Sequence, residues 1–129
     1  MLVEVDPTGK IIRNIGEGIL TEVHGPEVLP NGNIVAALPN VNNLRAIEID
    51  PNSGKVVWQF VWTGDNGARD ADRLPNGNTL VTGMTKIVEF TNKGDVVWQL
   101  SLKADIGQGA QSIRLRGFYK ADRISPSSP

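Results

Sequence analysis

The sequence contains no cysteine and a single histidine, His24, so most familiar catalytic and metal-binding chemistry is missing from it. Without cysteine, the chain forms no disulfide, has no thiolate nucleophile and offers no sulfur ligand of that kind to a metal. It also lacks a glycine-rich phosphate loop, a catalytic triad and any pair of residues at metal-ligand spacing. We therefore expect no cofactor and no metal, and any histidine chemistry would depend on His24.

Neither sign of charge is in excess, because 13 basic and 14 acidic side chains give a formal net charge of -1. A chain without a basic surface is not expected to bind nucleic acid or an anionic membrane. The N-terminus lacks the basic start and apolar stretch of a signal peptide, and no apolar run reaches the length of a membrane span. The 129 residues, 40% of them hydrophobic, predict one soluble domain and do not indicate its compartment.

Two short patterns recur along the chain. The turn LPNGN occurs at 29–33 and 74–78, where Asn-Gly can form a tight hairpin turn between two strands. A strand-turn-strand pattern occurs as AIEIDPNSGKVVWQF at 46–60 and IVEFTNKGDVVWQL at 87–100, with a weaker copy, LVEVDPTGKIIRNI, at 2–15. Arg13, Trp58 and Trp98 occupy one equivalent position, which predicts core packing for both tryptophans, with stacking on a ligand as the alternative.

The segments between these turns are short, rich in β-branched and aromatic residues, and without helical periodicity. They predict an all-β fold of twelve strands in three sets of four, at 2–6, 10–15, 23–29, 33–38, 45–50, 55–61, 69–74, 78–83, 86–91, 95–101, 110–115 and 118–123. Four antiparallel strands per unit of this length favour a β-propeller with about three blades per chain. A β-sandwich with the same number of strands is the alternative.

The same motifs resemble known families. AIEIDPNSGKVVWQF resembles the repeat of quinoprotein-like (PQQ-like) propellers, and RDADRLPNGNTLVTG with KIVEFTNKGDVVW is similar to the arylsulfotransferase family. The resemblance covers roughly residues 2–105 and implies a six-bladed propeller. It also implies transfer of a sulfuryl group between phenols through a histidine, without a cofactor.

Three blades cannot close a ring without leaving two unpaired edges. Two copies, each pairing residues 110–123 with residues 2–15 of the other, would form a six-bladed homodimer with two-fold symmetry. The alternative is that the chain is the C-terminal half of a longer six-bladed protein. We assign residues 1–124 to the half propeller and the Pro- and Ser-rich residues 125–129 to a disordered tail. The blade parts are 1–16, 22–62, 67–103 and 109–124.

The first strand of a propeller blade lines the central channel, where a small anionic or aromatic ligand is expected to bind. An alignment on Leu29, Leu74 and Leu115 places His24, Arg69 and Ala110 at the start of these strands, followed by Gly25, Asp70 and Gln111. His24 is the candidate catalytic residue, because a neutral imidazole is a nucleophile near pH 7. Arg69, Asp70 and Gln111 are the candidate ligand-binding residues, and a purely structural role for His24 is the alternative.

An acidic cluster is formed by Asp65, Asn66, Asp70 and Asp72. It could hold calcium, or its side chains could only cap loops and form salt bridges between blades. Its spacing departs from known calcium loops, which favours the structural role. Two functions follow for the whole chain. One is a non-catalytic propeller module or scaffold that binds a ligand at its channel, and the other is an aryl sulfate sulfotransferase acting through His24.

Overall fold

The computed structural model describes residues 1–40, 43–63, 67–102 and 117–124, and within these ranges the chain forms ten β-strands and no helix. The strands are β1 (Leu2–Val5), β2 (Ile11–Ile15), β3 (His24–Val28), β4 (Ile34–Asn40), β5 (Asn43–Ile49), β6 (Val56–Thr63), β7 (Asp70–Arg73), β8 (Thr79–Thr82), β9 (Lys86–Phe90) and β10 (Val96–Ser101). The described part of the chain therefore offers no helix that could span a membrane.

The strands form three antiparallel sheets. β1 and β2 form a hairpin, β3 to β6 form the middle sheet in sequential order, and β7 to β10 form the last sheet in the same way. The prediction of an all-β antiparallel fold is confirmed. The prediction of three four-stranded blades is wrong, because one sheet has two strands and the described residues close no ring.

The end of the described chain also differs from the prediction. Residues 118–123 form no strand, and segment 117–124 instead lies against the last sheet, with the Phe118 N–H donating to the Met84 carbonyl at 2.9 Å. The predicted strand 110–115 and the predicted tail 125–129 lie outside the described residues.

The two LPNGN segments form the tight turns that their sequence predicts. Gly32 and Gly77 both have a φ of +86°, a conformation that side-chain-bearing residues rarely adopt. The Gly32 N–H donates to the Leu29 carbonyl at 2.8 Å, and the Gly77 N–H donates to the Leu74 carbonyl at 2.9 Å. The turns thus connect the first strand of each four-stranded sheet to the second.

Strand register confirms that the hairpin is a third copy of the strand-turn-strand pattern. Glu48 lies opposite Trp58 on β5 and β6, and Glu89 lies opposite Trp98 on β9 and β10. In the hairpin, the corresponding glutamate is Glu4, which lies opposite Arg13. Each pair adjoins a register shift, so the three copies share a local backbone irregularity as well as a sequence.

The described residues form four layers: the β1–β2 hairpin, the middle sheet, the last sheet and segment 117–124. Three apolar clusters lie between successive layers and form the core. Neighbouring residues of a strand point to opposite faces, so Val35 and Ile34 of β4 belong to different clusters. One cluster joins the hairpin to the middle sheet, and another joins the middle sheet to the last sheet. The third cluster, built on Leu74, Leu80 and Ile87, joins the last sheet to segment 117–124 through Phe118 and Ala121.

The three tryptophans have unequal environments. Trp58 is half-buried against the central cluster, and its ring stacks on Phe90 with 5.6 Å between centroids. Trp62 also packs against this cluster, with the Lys86 ammonium 4.7 Å from its ring centroid. Trp98 is 48% exposed, so the prediction of core packing holds for Trp58 and is wrong for Trp98 within the single chain. Among the described residues, no sheet lies over the Trp98 side of β10, and this accounts for the difference.

Candidate functional site

The predicted site residues lie on or beside the first strands of the two larger sheets. β3 and β7 are edge strands of their sheets and are in contact with each other. His24 is exposed at the start of β3, Arg69 is half-buried immediately before β7, and Asp70 is buried at the start of β7. Gln111 lies outside the described residues, as do Asp65 and Asn66 of the predicted acidic cluster.

The sequence offers a second match to the first strands of the two larger sheets besides the alignment that singled out Gln111, which lies outside the described residues. Segment 117–124, GFYKADRI, matches 67–74, GARDADRL, and lies beside β7, although it forms no strand itself. We call β3, β7 and this segment the row of first strands. Tyr119 and Lys120 therefore correspond to Arg69 and Asp70. The shared Ala-Asp-Arg at 71–73 and 121–123 is the sequence signal that identifies this match.

Asp70 is held in close contact with β3. A Cβ atom at Gly25 would overlap the Asp70 carboxylate, and Gly25 has a φ of +54°. Glycine at this position therefore allows the backbone of β3 to approach a buried carboxylate on the next sheet. The structure brings Gly25 and Asp70 together in this way, whereas His24 beside them is exposed to solvent.

Lys120 partly neutralises the carboxylates of this row. Its Nζ atom lies 3.4 Å from Asp70 Oδ2 and 4.0 Å from Asp72 Oδ1. Burial raises the pKa of Asp72 to about 6, with the nearby Asp70 carboxylate as the second cause, and Lys120 opposes this rise. The two aspartates raise the pKa of the Lys120 ammonium in turn. Asp70 Oδ2 is buried without a hydrogen bond of good geometry, so Lys120 acts on it mainly through its charge.

Arg69 has a structural role in the present geometry. Its NH1 group donates to the Phe118 carbonyl at 3.1 Å, and its guanidinium lies 6.0 Å from the centroid of the Tyr119 ring. These contacts tie segment 117–124 to the last sheet. Across the described ranges, no group of three potential metal ligands converges, and Asp65 and Asn66 of the predicted acidic cluster lie outside those ranges.

A second constellation occurs twice at the junctions between layers and was missed by sequence reasoning. The buried Glu48 carboxylate accepts a hydrogen bond from Asn33 Nδ2 at 2.7 Å on one oxygen. On the other oxygen it pairs with Arg73 NH2 of the next sheet at 2.9 Å. An arginine of one sheet thus pairs with a glutamate of the preceding sheet, and an asparagine of that preceding sheet donates to the same carboxylate. We call this three-residue arrangement the Glu-Asn-Arg clamp.

The last sheet has the same clamp. Glu89 accepts from Asn78 Nδ2 at 2.9 Å on one oxygen and pairs with Arg123 NH1 at 2.6 Å on the other. Its carboxylate is also buried, and burial alone would raise its pKa, but the hydrogen bonds from Asn78 and Asn76 together with Arg123 hold the pKa of the Glu89 carboxyl below its usual value. Both clamps satisfy a desolvated carboxylate with one amide and one guanidinium.

The hairpin has an incomplete version. The Glu4 side chain is 44% exposed and pairs with Arg13 Nε at 2.5 Å on one oxygen. Arg13 is further held by Asn52 Oδ1, at 2.7 Å from its NH1 atom. Among the described residues, the second oxygen of Glu4 accepts no hydrogen bond. In the two larger sheets, β4 lies beside β5 and β8 lies beside β9, but no described strand lies in the corresponding position beside β1.

Two open grooves accompany these features. The larger, about 660 Å³, lies between the outer face of the last sheet and segment 117–124, and its lining includes Glu89, Trp98 and Ile124. The smaller, about 360 Å³, lies between the hairpin and the middle sheet, and its lining includes Glu4 and Val28. Beside the larger groove, every residue of β10 is exposed, including Val97, Trp98 and Leu100.

Comparison with known proteins gives a fold likeness and no function. No protein-family model and no curated protein matches the chain. A protein of unknown function from Bacteroides caccae has a similar solved structure, with 20% sequence identity and a TM-score of 0.56. The similarity covers 77% of this chain and 38% of that protein, so the chain spans well under half of its length.

The identification with arylsulfotransferase and quinoprotein-like propeller repeats is therefore wrong. The structure contains small antiparallel sheets of two, four and four strands rather than propeller blades, and the similar solved structure has no known function. The motifs behind the resemblance describe an Asn-Gly turn and a twice-repeated strand pair. Any repeated antiparallel hairpin with a tight turn produces such a pattern.

Proposed function

We propose that the protein is a non-catalytic binding or scaffold module that associates with a second copy of itself through the two ends of its stack of sheets. The observation that carries this proposal is the apolar surface at each end. β10 exposes Val97, Trp98 and Leu100 at one end, and the hairpin exposes Val5 and Ile11 at the other. Exposed apolar patches of this kind are typical of protein-protein contact sites.

The junction between the two larger sheets indicates how the ends fit together. There, Trp58 and Phe60 of β6 are covered by the next sheet, and Phe90 of β9 stacks on both rings. Trp98 and Leu100 are the equivalents of Trp58 and Phe60, and nothing among the described residues covers them. In the hairpin, the equivalent of Phe90 is Val5, which is 51% exposed. A second copy can therefore place β1 against β10.

Solution mass tests this association. Light scattering of the intact protein should give twice the 13.9 kDa of one chain, with a melting temperature that rises with protein concentration. Leu100→Asp places a charge in the proposed contact and should reduce the mass to that of one chain. Val61→Asp is the matched control, because Val61 has similar exposure but lies on the covered sheet, away from both ends.

Mixing variants distinguishes joining of unlike ends from nonspecific association. Val5→Asp should also give a single-chain mass, because it damages the other end. A mixture of Leu100→Asp with Val5→Asp leaves one intact β10 face and one intact hairpin, so it should recover a species of two chains. A single-chain mass for the unmodified protein at all concentrations would refute the proposal.

Ligand binding at the row of first strands is a second part of this proposal. Arg69, Lys120 and the exposed Tyr119 ring offer charge and aromatic surface to a small anionic or aromatic molecule. Sulfuryl transfer by His24 was implied only by the family resemblance, and with that resemblance corrected it is not part of the proposal. Turnover of an aryl sulfate that is lost in His24→Ala would reinstate it.

A further inference from the structure

We propose that the edge of β1, which no strand of the described residues pairs with, is a receptor for an extended segment of another polypeptide that carries an asparagine followed by alternating apolar residues. This goes beyond self-association, because it concerns the edge of the hairpin and the smaller groove rather than the apolar face that meets β10. The argument rests on the two complete clamps, which show what occupies the corresponding position in the same protein.

In both complete copies, the strand flanking the glutamate supplies the asparagine. Asn33 immediately precedes β4, whose Val35 lies opposite Glu48, and Asn78 immediately precedes β8, whose Leu80 lies opposite Glu89. The asparagine takes the carboxylate oxygen that the arginine leaves unoccupied. At Glu4, the arginine is present as Arg13 and the asparagine position is open among the described residues.

The shape of the smaller groove agrees with a strand rather than a compact ligand. Its lining includes Leu2, Val3 and Glu4, three consecutive residues of β1. The lining also includes Arg13 and Ile15 of β2, so the groove runs from the edge of β1 onto the face that the hairpin turns toward the middle sheet. Across the groove, Val28 and Ile34 of the middle sheet provide an apolar wall. Main-chain hydrogen bonds along β1 would give affinity, and Glu4 would select asparagine.

The chain itself supplies a suitable probe. A fluorescent peptide of residues 74–83, LPNGNTLVTG, carries the asparagine and apolar positions that flank Glu89 in the last sheet. We expect saturable binding to the intact protein, measured by fluorescence anisotropy. The same peptide with Asn78→Ala should bind about tenfold more weakly, the loss typical of a hydrogen bond to a charged group. Glu4→Ala should weaken binding similarly and abolish the distinction between the two peptides.

Three controls keep this test independent of folding and of self-association. Glu22→Ala makes the same change at an exposed glutamate outside the groove and should leave binding unchanged. Thermal melting of Glu4→Ala shows whether the hairpin still folds, and Glu4→Gln, which keeps an acceptor oxygen without charge, should give an intermediate affinity. Leu100→Asp, the variant designed to be a single chain, should bind the peptide normally, so failure of either proposal is seen separately.

Hydrogen exchange on the unmodified protein locates the contact. Amides of β1 should exchange more slowly when the peptide is bound, and amides of β10 should not change. Absence of saturable binding would overturn the proposal, as would equal binding of the two peptides or protection at β10 instead of β1.

Discussion

Replacing each of the two equivalent tryptophans with alanine should have different effects on stability. Trp58 donates from Nε1 to the Asn92 carbonyl at 3.1 Å and stacks on Phe90. Its ring also lies 5.2 Å below the Arg73 guanidinium. The hydrogen bond and the stacking each contribute about 1 kcal/mol, and burial of half the ring contributes about 1–2 kcal/mol. Trp58→Ala should therefore lower the free energy of unfolding by about 3–4 kcal/mol.

Trp98→Ala should cost about 1–2 kcal/mol in the separated chain, less than Trp58→Ala, because nearly half of its side chain is already in water. Urea denaturation at low protein concentration measures both values, and the Leu100→Asp background keeps the chains apart. In the associating protein, the same Trp98→Ala change should lower the two-chain fraction. Equal losses for Trp58→Ala and Trp98→Ala in separated chains would refute this assignment of covered and uncovered sheet faces.

Three further changes test the turns and the row of first strands. Gly25→Ala should lower the free energy of unfolding by about 2 kcal/mol or more, because the new Cβ meets Asp70 at positive φ; Gly9→Ala, with open space around its Cβ, is the control for backbone strain alone. Gly77→Val should be destabilising in urea melts, because a β-branched residue resists a φ of +86°, and unchanged stability would show that the turn is misassigned. Asp72 has a folded pKa of about 6 against an ordinary 3.8, so the folded state holds its proton more tightly. Stability should then decline as pH rises from about 4 to about 6, by no more than about 3 kcal/mol, and the decline should be smaller in Asp72→Asn; identical pH profiles would contradict the shift.

The positions of the ten strands could be predicted from sequence because local signals determine them. Asn-Gly and Asp-Pro segments end four of the strands, other Gly-containing turns end several more, and β-branched residues fill the intervals, so predicted and observed bounds differ by at most two residues. Exposure could not be predicted in the same way. Trp58 and Trp98 have nearly identical neighbours in sequence, and only the presence or absence of a covering sheet separates them.

The clamps were missed because their members lie at unequal spacings. The LPNGN turns are offset by 45 residues, whereas the matching Ala-Asp-Arg segments at 71–73 and 121–123 are offset by 50. The alignment on Leu115 therefore pairs Gln111 with Asp70, whereas the Ala-Asp-Arg match pairs Lys120 with Asp70. A buried glutamate also looks like an ordinary surface residue in a strand of alternating pattern, and only the structure shows that Glu48 and Glu89 are desolvated.

The clamps explain why the hairpin departs from the repeat at Arg13. In the complete clamp at Glu48, Arg73 of the following sheet reaches the carboxylate while lying over Trp58. At the hairpin, the residue equivalent to Arg73 is Val28, which cannot pair with Glu4.

The Glu4 side chain is 44% exposed, so it does not require a partner as a buried carboxylate would, and its guanidinium partner comes from within the hairpin. Arg13 supplies it from the position that tryptophan occupies in the other two copies. Compared with the clamp at Glu48, the hairpin has arginine at the tryptophan position (Arg13), and the middle sheet has an apolar residue at the arginine position (Val28). This exchange preserves the ion pair of the clamp and leaves the asparagine position beside β1 as its open part.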